Sequence, residues 1–223
     1  MTTTSPERSS QQATLTALCG LAGALALGVL PISTWLIHGD SIGSLLAREA
    51  ISWCSALAIL LWLTLVERLP LSSIGFRRPT WKSVLWGVLA AIVLTAILVL
   101  EFSVVAPLLH LDTAPILAGQ RAILNTPYWY RILLVLRAAV VEEILFRGYL
   151  IEKVRQLSKS TAIAVVVSVA AFTYAHLSGW GPAHLIVVGA GGLVFALFYV
   201  WRRDLPSNML AHFLADAAGL LTQ

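Results

Sequence analysis

The sequence predicts an all-α fold, a polytopic transmembrane bundle of about seven spanning helices, with six and eight as the alternatives. Of its 223 residues, 58% are apolar and only 12% are charged. The mean hydropathy is +0.84, and the charged residues fall into clusters between long apolar runs. Soluble domains carry about a quarter charged residues, so this composition is typical of a multispanning membrane protein.

Seven apolar segments approach the length of about 17–25 residues that a bilayer requires. They lie roughly at 13–37, 47–66, 83–108, 129–151, 160–178, 184–201 and 205–222. The polar residues 1–12 are predicted to form a disordered cytoplasmic N-terminus. Residues 13–69 are then N-terminal transmembrane helices and residues 70–223 a transmembrane core, with no separate soluble domain.

The basic residues predict the orientation of the chain in the membrane. With seven crossings, ten of them fall on one side: Arg8, Arg68, Arg77, Arg78, Lys82, Lys153, Arg155, Lys159, Arg202 and Arg203. Three fall on the other: Arg48, Arg121 and Arg131. The positive-inside rule makes the first side cytoplasmic, with the N-terminus inside and the C-terminus outside. A short chain without extra loops favours a bacterial plasma membrane. The net charge of +4 forms no continuous stripe, so nucleic acid is not an expected partner.

Several ionisable side chains lie inside the predicted spans. In the second half of the chain they include Glu142, Glu143 and Arg147 in the fourth segment, His176 in the fifth, and His212 and Asp216 in the seventh. A charge at the centre of a span costs about 2.5–3.5 kcal/mol on insertion scales, so each is a functional hypothesis.

Helical spacing indicates how these groups are arranged. Glu143 and Arg147 are four residues apart and can pair along one helix face. Glu142 projects about 100° away and is left for another partner. The last segment carries a polar stripe at the same spacing, made of Asn208, His212 and Asp216.

Counting helical rise places Glu142 and His176 at a similar depth, about fifteen residues from the same end of their helices. His212 fits that depth less well. A buried carboxylate beside an imidazole can hold and deprotonate a water, which makes a nucleophile for an amide carbonyl, and a further polar group can stabilise the oxyanion. The same side chains could alternatively bind zinc, although no HExxH motif is present.

Three motifs in this order resemble those of one family. They are Glu142-Glu143-x-x-x-Arg147, Phe172-x-x-x-His176 and His212-x-x-x-Asp216. Over about residues 70–220 the chain resembles the CPBP family, which comprises the CAAX prenyl endopeptidases and their bacterial Abi relatives and is grouped with bacteriocin processing and immunity.

The resemblance implies an intramembrane endopeptidase of the glutamic type. Glu142 would activate water with His176, and His212 with Asp216 would lie on the oxyanion side. The supporting residues would be Glu143, Arg147, Phe172 and Asn208. The prenyl-protein enzymes carry Asn where this chain has Asp216. Because an ionised Asp donates no hydrogen bond, Asp216 is expected to orient His212, which then becomes the donor.

No cofactor is expected. Zinc is the less favoured alternative, with Glu142, His176, His212 and Asp216 as its ligands. The expected partners are the lipid bilayer and a membrane-proximal substrate: a lipidated tail, a sorting-signal tail or a peptide precursor. The alternative function is a non-cleaving immunity or binding protein that sequesters a toxin or partner. The oligomeric state is not predicted.

Overall fold

The computed structural model describes residues 6–177 and 180–222, with side chains from residue 11 onward. Over these ranges the chain forms nine helices, one short 3₁₀ turn (Leu71–Ile74) and no strands, which confirms the all-α prediction. The helices are α1 (Pro6–Val29), α2 (Ile32–Leu36), α3 (Ile42–Val66), α4 (Trp81–Leu108), α5 (Ala114–Leu124), α6 (128–158), α7 (Thr161–Ala175), α8 (Pro182–Arg202) and α9 (Leu205–Leu220).

Four of the described helices are long and apolar enough to cross a bilayer: Gln11–Val29 within α1, and all of α3, α4 and α8. Helix α7 is apolar but has 15 residues, which gives a length of about 22 Å against a hydrocarbon core of about 30 Å. Helix α9 has 16 residues, and α6 carries many charged side chains. Seven spans are therefore not confirmed, because three of the seven predicted segments form helices that are short or highly charged.

The first predicted segment, 13–37, is divided in two. Helix α1 ends at Val29, and Pro31 separates it from the short α2. Proline lacks a backbone N–H and its ring clashes with the preceding turn, so the helix does not continue through it. The amphipathic α5 is an additional element that no apolar segment predicted.

The segment predicted to be disordered, residues 1–12, overlaps the first helix. Helix α1 begins at Pro6, and residues 1–5 lie outside the described residues. Proline is favoured in the first helical turn, where its missing N–H needs no partner. A formed helix then gains one hydrogen bond for each residue added, so polar residues such as Gln11 and Gln12 can extend it.

Helix α6 occupies the centre of the bundle and carries the first motif. Its middle part, Ala138–Ile151, is π-helical, a geometry frequent at functional sites. Twelve of these fourteen residues are buried, packed against α1, α3, α7 and α9. Ser168 of α7 donates a buried hydrogen bond of 2.8 Å to the carbonyl of Phe146. The motif residues are thus enclosed by protein, where charges can find partners.

Helices α4 and α9 pack closely together. A Cβ atom added at Gly87 would lie 3.0 Å from the carbonyl oxygen of Ser207, so the glycine permits this approach. The Ser207 hydroxyl donates to the carbonyl of Ser83 at 3.0 Å. Thr80 begins α4 with a capping box. The last helix, which carries the third motif, is therefore fixed against α4.

Three of the basic connectors meet at one end of the bundle. Leu69, Lys153, Lys159 and Arg203 line one pocket there, and the backbone N–H of Leu205 donates to the carbonyl of Gly75. Trp81, Trp129 and Trp201 lie at or next to the ends of helices α4, α6 and α8 and are exposed, as interfacial aromatics are.

Candidate active site

A cavity of about 740 Å³ lies between the helices and contains the predicted catalytic residues in its wall. Glu142, His176, His212 and Asp216 all line it. The structure therefore brings together side chains from α6, α9 and the end of α7, which are separated by more than 30 residues in the chain. The volume is within the range of about 300–1,000 Å³ found for ligand pockets.

Glu142 is held by two partners on opposite sides of its carboxylate. Oε1 accepts a hydrogen bond of 3.0 Å from Arg137 Nη1, and Oε2 lies 3.8 Å from His176 Nε2. Arg137 precedes Glu142 by five residues, a spacing that the π-helical geometry of α6 brings to one face. The side chain is 14% exposed and lines the cavity.

His176 follows the last residue of α7, and its ring orientation is fixed by the backbone. Nδ1 lies 2.8 Å from the carbonyl oxygen of Phe172. Because a carbonyl oxygen only accepts, Nδ1 carries the hydrogen and Nε2 of a neutral ring is left as an acceptor. The Phe172 ring packs against the imidazole at 4.6 Å between centroids. The motif pair Phe172 and His176 thus presents Nε2 to Glu142.

Glu143 is fully buried, forms hydrogen bonds with His212 and Asn208, and forms an ion pair with Arg147. Arg147 Nη1 lies 3.0 Å and His212 Nδ1 2.9 Å from Oε1, and Asn208 Nδ2 lies 3.1 Å from Oε2. The predicted pair of Glu143 and Arg147 is confirmed. The carboxylate also joins α6 to α9, so Glu143 is a structural junction rather than a group facing the cavity.

Arg147 is fully buried and connects three helices. Its guanidinium lies 4.0 Å from the centre of the Phe172 ring and 5.1 Å from that of Phe195. Nη2 donates to the carbonyl of Gly192 at 3.4 Å. A cation over an aromatic face in a desolvated site is stabilising by about 2 kcal/mol. Arg147 therefore supports the helix that carries His176 as well as neutralising Glu143.

The residues of the polar stripe on α9 contact two different places, the buried Glu143 and the cavity. Asn208 and His212 face Glu143, whereas Asp216 is 35% exposed and lines the cavity. Asp216 Oδ2 lies 3.5 Å from His212 Nε2, as expected if Asp216 orients His212. The histidines thus belong to two different pairs, His176 with Glu142 and His212 with Glu143.

Sequence reasoning missed a second ion pair beside Glu142. Arg137 Nε lies 3.0 Å from Glu49 Oε2, and the Tyr130 hydroxyl donates to Glu49 Oε1 at 3.2 Å. Arg137 therefore bridges Glu49 of α3 and Glu142 of α6. Both residues are charges inside predicted spans, so the rule that singled out Glu142 would also have found them.

A third histidine lies near the site. The rings of His184 and His176 are 6.1 Å apart, and His184 stacks on Trp180 at 4.8 Å. His184 also lines the cavity, although none of the three motifs includes it.

The zinc alternative was tested against the donor atoms as they are placed. Among residues 6–177 and 180–222, no three His, Cys, Asp or Glu side chains lie close enough to hold a metal ion. The proposed ligands form two separate pairs, His176 with Glu142 and His212 with Asp216, and each histidine presents Nε2 to its carboxylate. As placed, these four side chains form no such group of three, and no step below is routed through a metal.

Comparison with known proteins identifies the part of the chain that carries the site. Residues 124–218 match the family model described as type II CAAX prenyl endopeptidase Rce1-like. No curated protein and no solved structure matches the chain. The match begins in α5 and ends in α9, so it includes all three motifs but is narrower than the predicted 70–220. The apolar helices agree with an integral membrane protein. An Rce1-like domain, of the kind that defines the type II CAAX prenyl endopeptidases of the CPBP family, is therefore found at residues 124–218 of the chain.

Proposed function

We propose that the protein is an intramembrane endopeptidase that hydrolyses a peptide bond near the membrane with a water held by Glu142 and His176. One observation carries this proposal. A carboxylate oxygen of Glu142 lies 3.8 Å from the imidazole nitrogen of His176 that has no other hydrogen bond in the described structure, and both groups line one cavity. A water on the cavity side can donate one hydrogen to each group.

The two acceptors have different tasks. His176 Nε2 accepts one hydrogen of the water and orients it, because Nδ1 is occupied by the Phe172 carbonyl. Glu142 Oε2 accepts the other hydrogen and removes it as the water oxygen forms a bond to the carbonyl carbon. General base catalysis of this kind contributes about 10²- to 10⁴-fold to the rate. The protonated Glu142 then gives that proton to the leaving amine as the C–N bond breaks.

The tetrahedral intermediate needs a donor for its oxyanion. His212 is held by Glu143 through Nδ1 and presents Nε2 towards Asp216 and the cavity. When both ring nitrogens carry hydrogen, Nε2–H can donate to the oxyanion, with Asp216 orienting the ring. Donors fixed in advance are effective because they do not reorganise during the reaction.

The substrate belongs to one of three classes: a lipidated C-terminal tail, a sorting-signal tail or a peptide precursor. The family name favours prenylated tails, although the chain itself carries no feature that specifies a prenyl group. The proposed topology is seven crossings in a bacterial plasma membrane, with the N-terminus cytoplasmic and the C-terminus outside. In that arrangement α6, α7 and α9 cross while packed against other helices.

A non-cleaving immunity or binding protein is the alternative. A binder has no need for a carboxylate and a free imidazole nitrogen facing a cavity, and buried charges are costly to retain. The intact pair of Glu142 and His176 therefore favours hydrolysis.

Mass spectrometry of peptide termini tests the proposal. Membranes and medium are compared from cells that carry the wild type, Glu142→Gln or His176→Gln, with His38→Gln as the control outside the cavity. New peptide termini should appear only in cells that carry the wild type or His38→Gln. The sequences of the peptides that carry these termini identify the substrate. Identical termini from all four strains, with the proteins equally abundant, would reject hydrolysis in favour of binding.

A further inference from the structure

Glu101 is an isolated carboxylate on an apolar helix. It lies in α4, where it shares one face with Leu94, Ile97 and Leu98, and all four line the cavity that contains Glu142. The residue is only 7% exposed. The helix changes to π geometry over Glu101–Val105, a local distortion that is frequent at functional sites.

Glu101 differs from the other buried carboxylates because no partner balances it. Glu49 and Glu142 share Arg137, and Glu143 pairs with Arg147. In the described part of the chain, no hydrogen bond and no ion pair involves the Glu101 side chain. Buried charges in proteins are normally paired, and an unpaired one inside a membrane helix is by default functional. A group on another molecule would supply the partner that the Glu101 carboxylate lacks.

The net charge of the cavity indicates the sign of the charge that this partner carries. Its described wall contains two arginines and four carboxylates, which leaves two formal negative charges when the histidines are neutral and one when His212 is protonated. Both arginines are already engaged: Arg48 donates to the carbonyls of Ile37 and Gly39, and Arg137 bridges two carboxylates. A cation is therefore attracted into the cavity near Glu101, whereas an anionic peptide terminus is repelled from it.

We propose that Glu101 is a specificity-determining residue that binds a basic side chain, lysine or arginine, of the peptide substrate. This inference rests on the proposed peptidase function, because it assigns a subsite to the same cavity. The basic side chain forms a charge-assisted hydrogen bond with the carboxylate, while the apolar face of Leu94, Ile97 and Leu98 packs against its aliphatic part. A subsite built for a charged group rejects an uncharged analogue because its own carboxylate is then left unpaired.

Peptide binding to a variant that does not cleave tests the subsite separately from catalysis. The full-length Glu142→Gln protein in lipid nanodiscs is titrated with fluorescent decapeptides in which one position at a time is lysine, norleucine or glutamate. At one position lysine should bind about 10- to 100-fold more tightly than norleucine, as expected for a hydrogen bond to a charged group. Adding Glu101→Gln should abolish this preference, and adding Glu101→Lys should transfer it to glutamate.

The controls separate this subsite from the fold and from the proposed reaction. Adding Glu152→Gln, a carboxylate that lines a different pocket, should leave the lysine preference intact. Adding Glu101→Asp keeps the charge and should retain part of the preference, which separates recognition from misfolding. The inference is wrong if no position prefers lysine, or if the preference survives Glu101→Gln. The wild type could also produce no new peptide termini while the Glu142→Gln protein still prefers lysine. That result would support the lysine subsite and reject the proposed peptidase function.

Discussion

Replacing Arg147 by methionine should destabilise the protein strongly, because it leaves Glu143 without its cation in the interior. Both side chains are fully buried and their charged atoms are 3.0 Å apart. Removing one partner of a buried pair costs about 3–5 kcal/mol. Glu143 keeps its bonds to His212 and Asn208, so we expect the lower part of that range for the charge. Loss of the guanidinium over Phe172 adds about 1–2 kcal/mol.

The free energy of unfolding, measured by steric trapping in bicelles, reports this loss. Arg155→Met is the matched control, since Arg155 lies on the same helix and pairs with Glu152 but is 40% exposed. Exposed pairs contribute about 0–1 kcal/mol, so this control should unfold nearly as the wild type does.

A double-mutant cycle distinguishes the ion pair from packing. Combining Arg147→Met with Glu143→Gln removes both charges, so the double variant should be more stable than the sum of the two single losses predicts. The reasoning is refuted if Arg147→Met loses no more stability than Arg155→Met. It is also refuted if the two single losses simply add.

Three further predictions concern the surroundings of the site. Gly192→Ala should lower stability by about 1–3 kcal/mol and slow cleavage, because its Cβ would lie 2.9 Å from the Phe172 ring. Gly191→Ala meets nothing within 4 Å and should be silent in the same unfolding and cleavage assays. Arg137→Gln should reduce the cleavage rate by removing the donor that holds Glu142; an unchanged rate would show that this contact is dispensable. Incubation with EDTA followed by gel filtration should leave cleavage unchanged, whereas loss of activity restored by zinc would establish the metal-dependent alternative.

Helix geometry alone predicted two contacts of the site. One joins residues that are close along the same helix, and the other joins residues at the same depth on two helices. Glu143 and Arg147 are four residues apart, and this geometry survives in the π-helical part of α6. Counting residues also placed Glu142 and His176 at one level, where the structure has them 3.8 Å apart. Both results depend only on the rise and periodicity of a helix.

Contacts that depend on tertiary packing were not predictable from one sequence. The bond from Arg137 to Glu142 requires a π-helical turn, which leaves no signal in residue periodicity. The bonds from His212 and Asn208 to Glu143 depend on how α9 lies against α6. The number of membrane spans was not fixed by the sequence for a related reason. Helix α6 carries charges that pair with other side chains of the protein. Its hydropathy alone therefore does not indicate whether lipid or protein surrounds it.

The most direct test of the central claim compares Glu142→Gln with Glu143→Gln in purified protein reconstituted in vesicles, using the peptide identified from the new termini. The cleavage rate is measured for each, together with the free energy of unfolding. We expect Glu142→Gln to abolish cleavage and keep its stability, because Gln preserves volume and removes the base. Glu143→Gln should lose stability, because Arg147 is left buried without its carboxylate. Cleavage by Glu142→Gln at the wild-type rate would contradict the account.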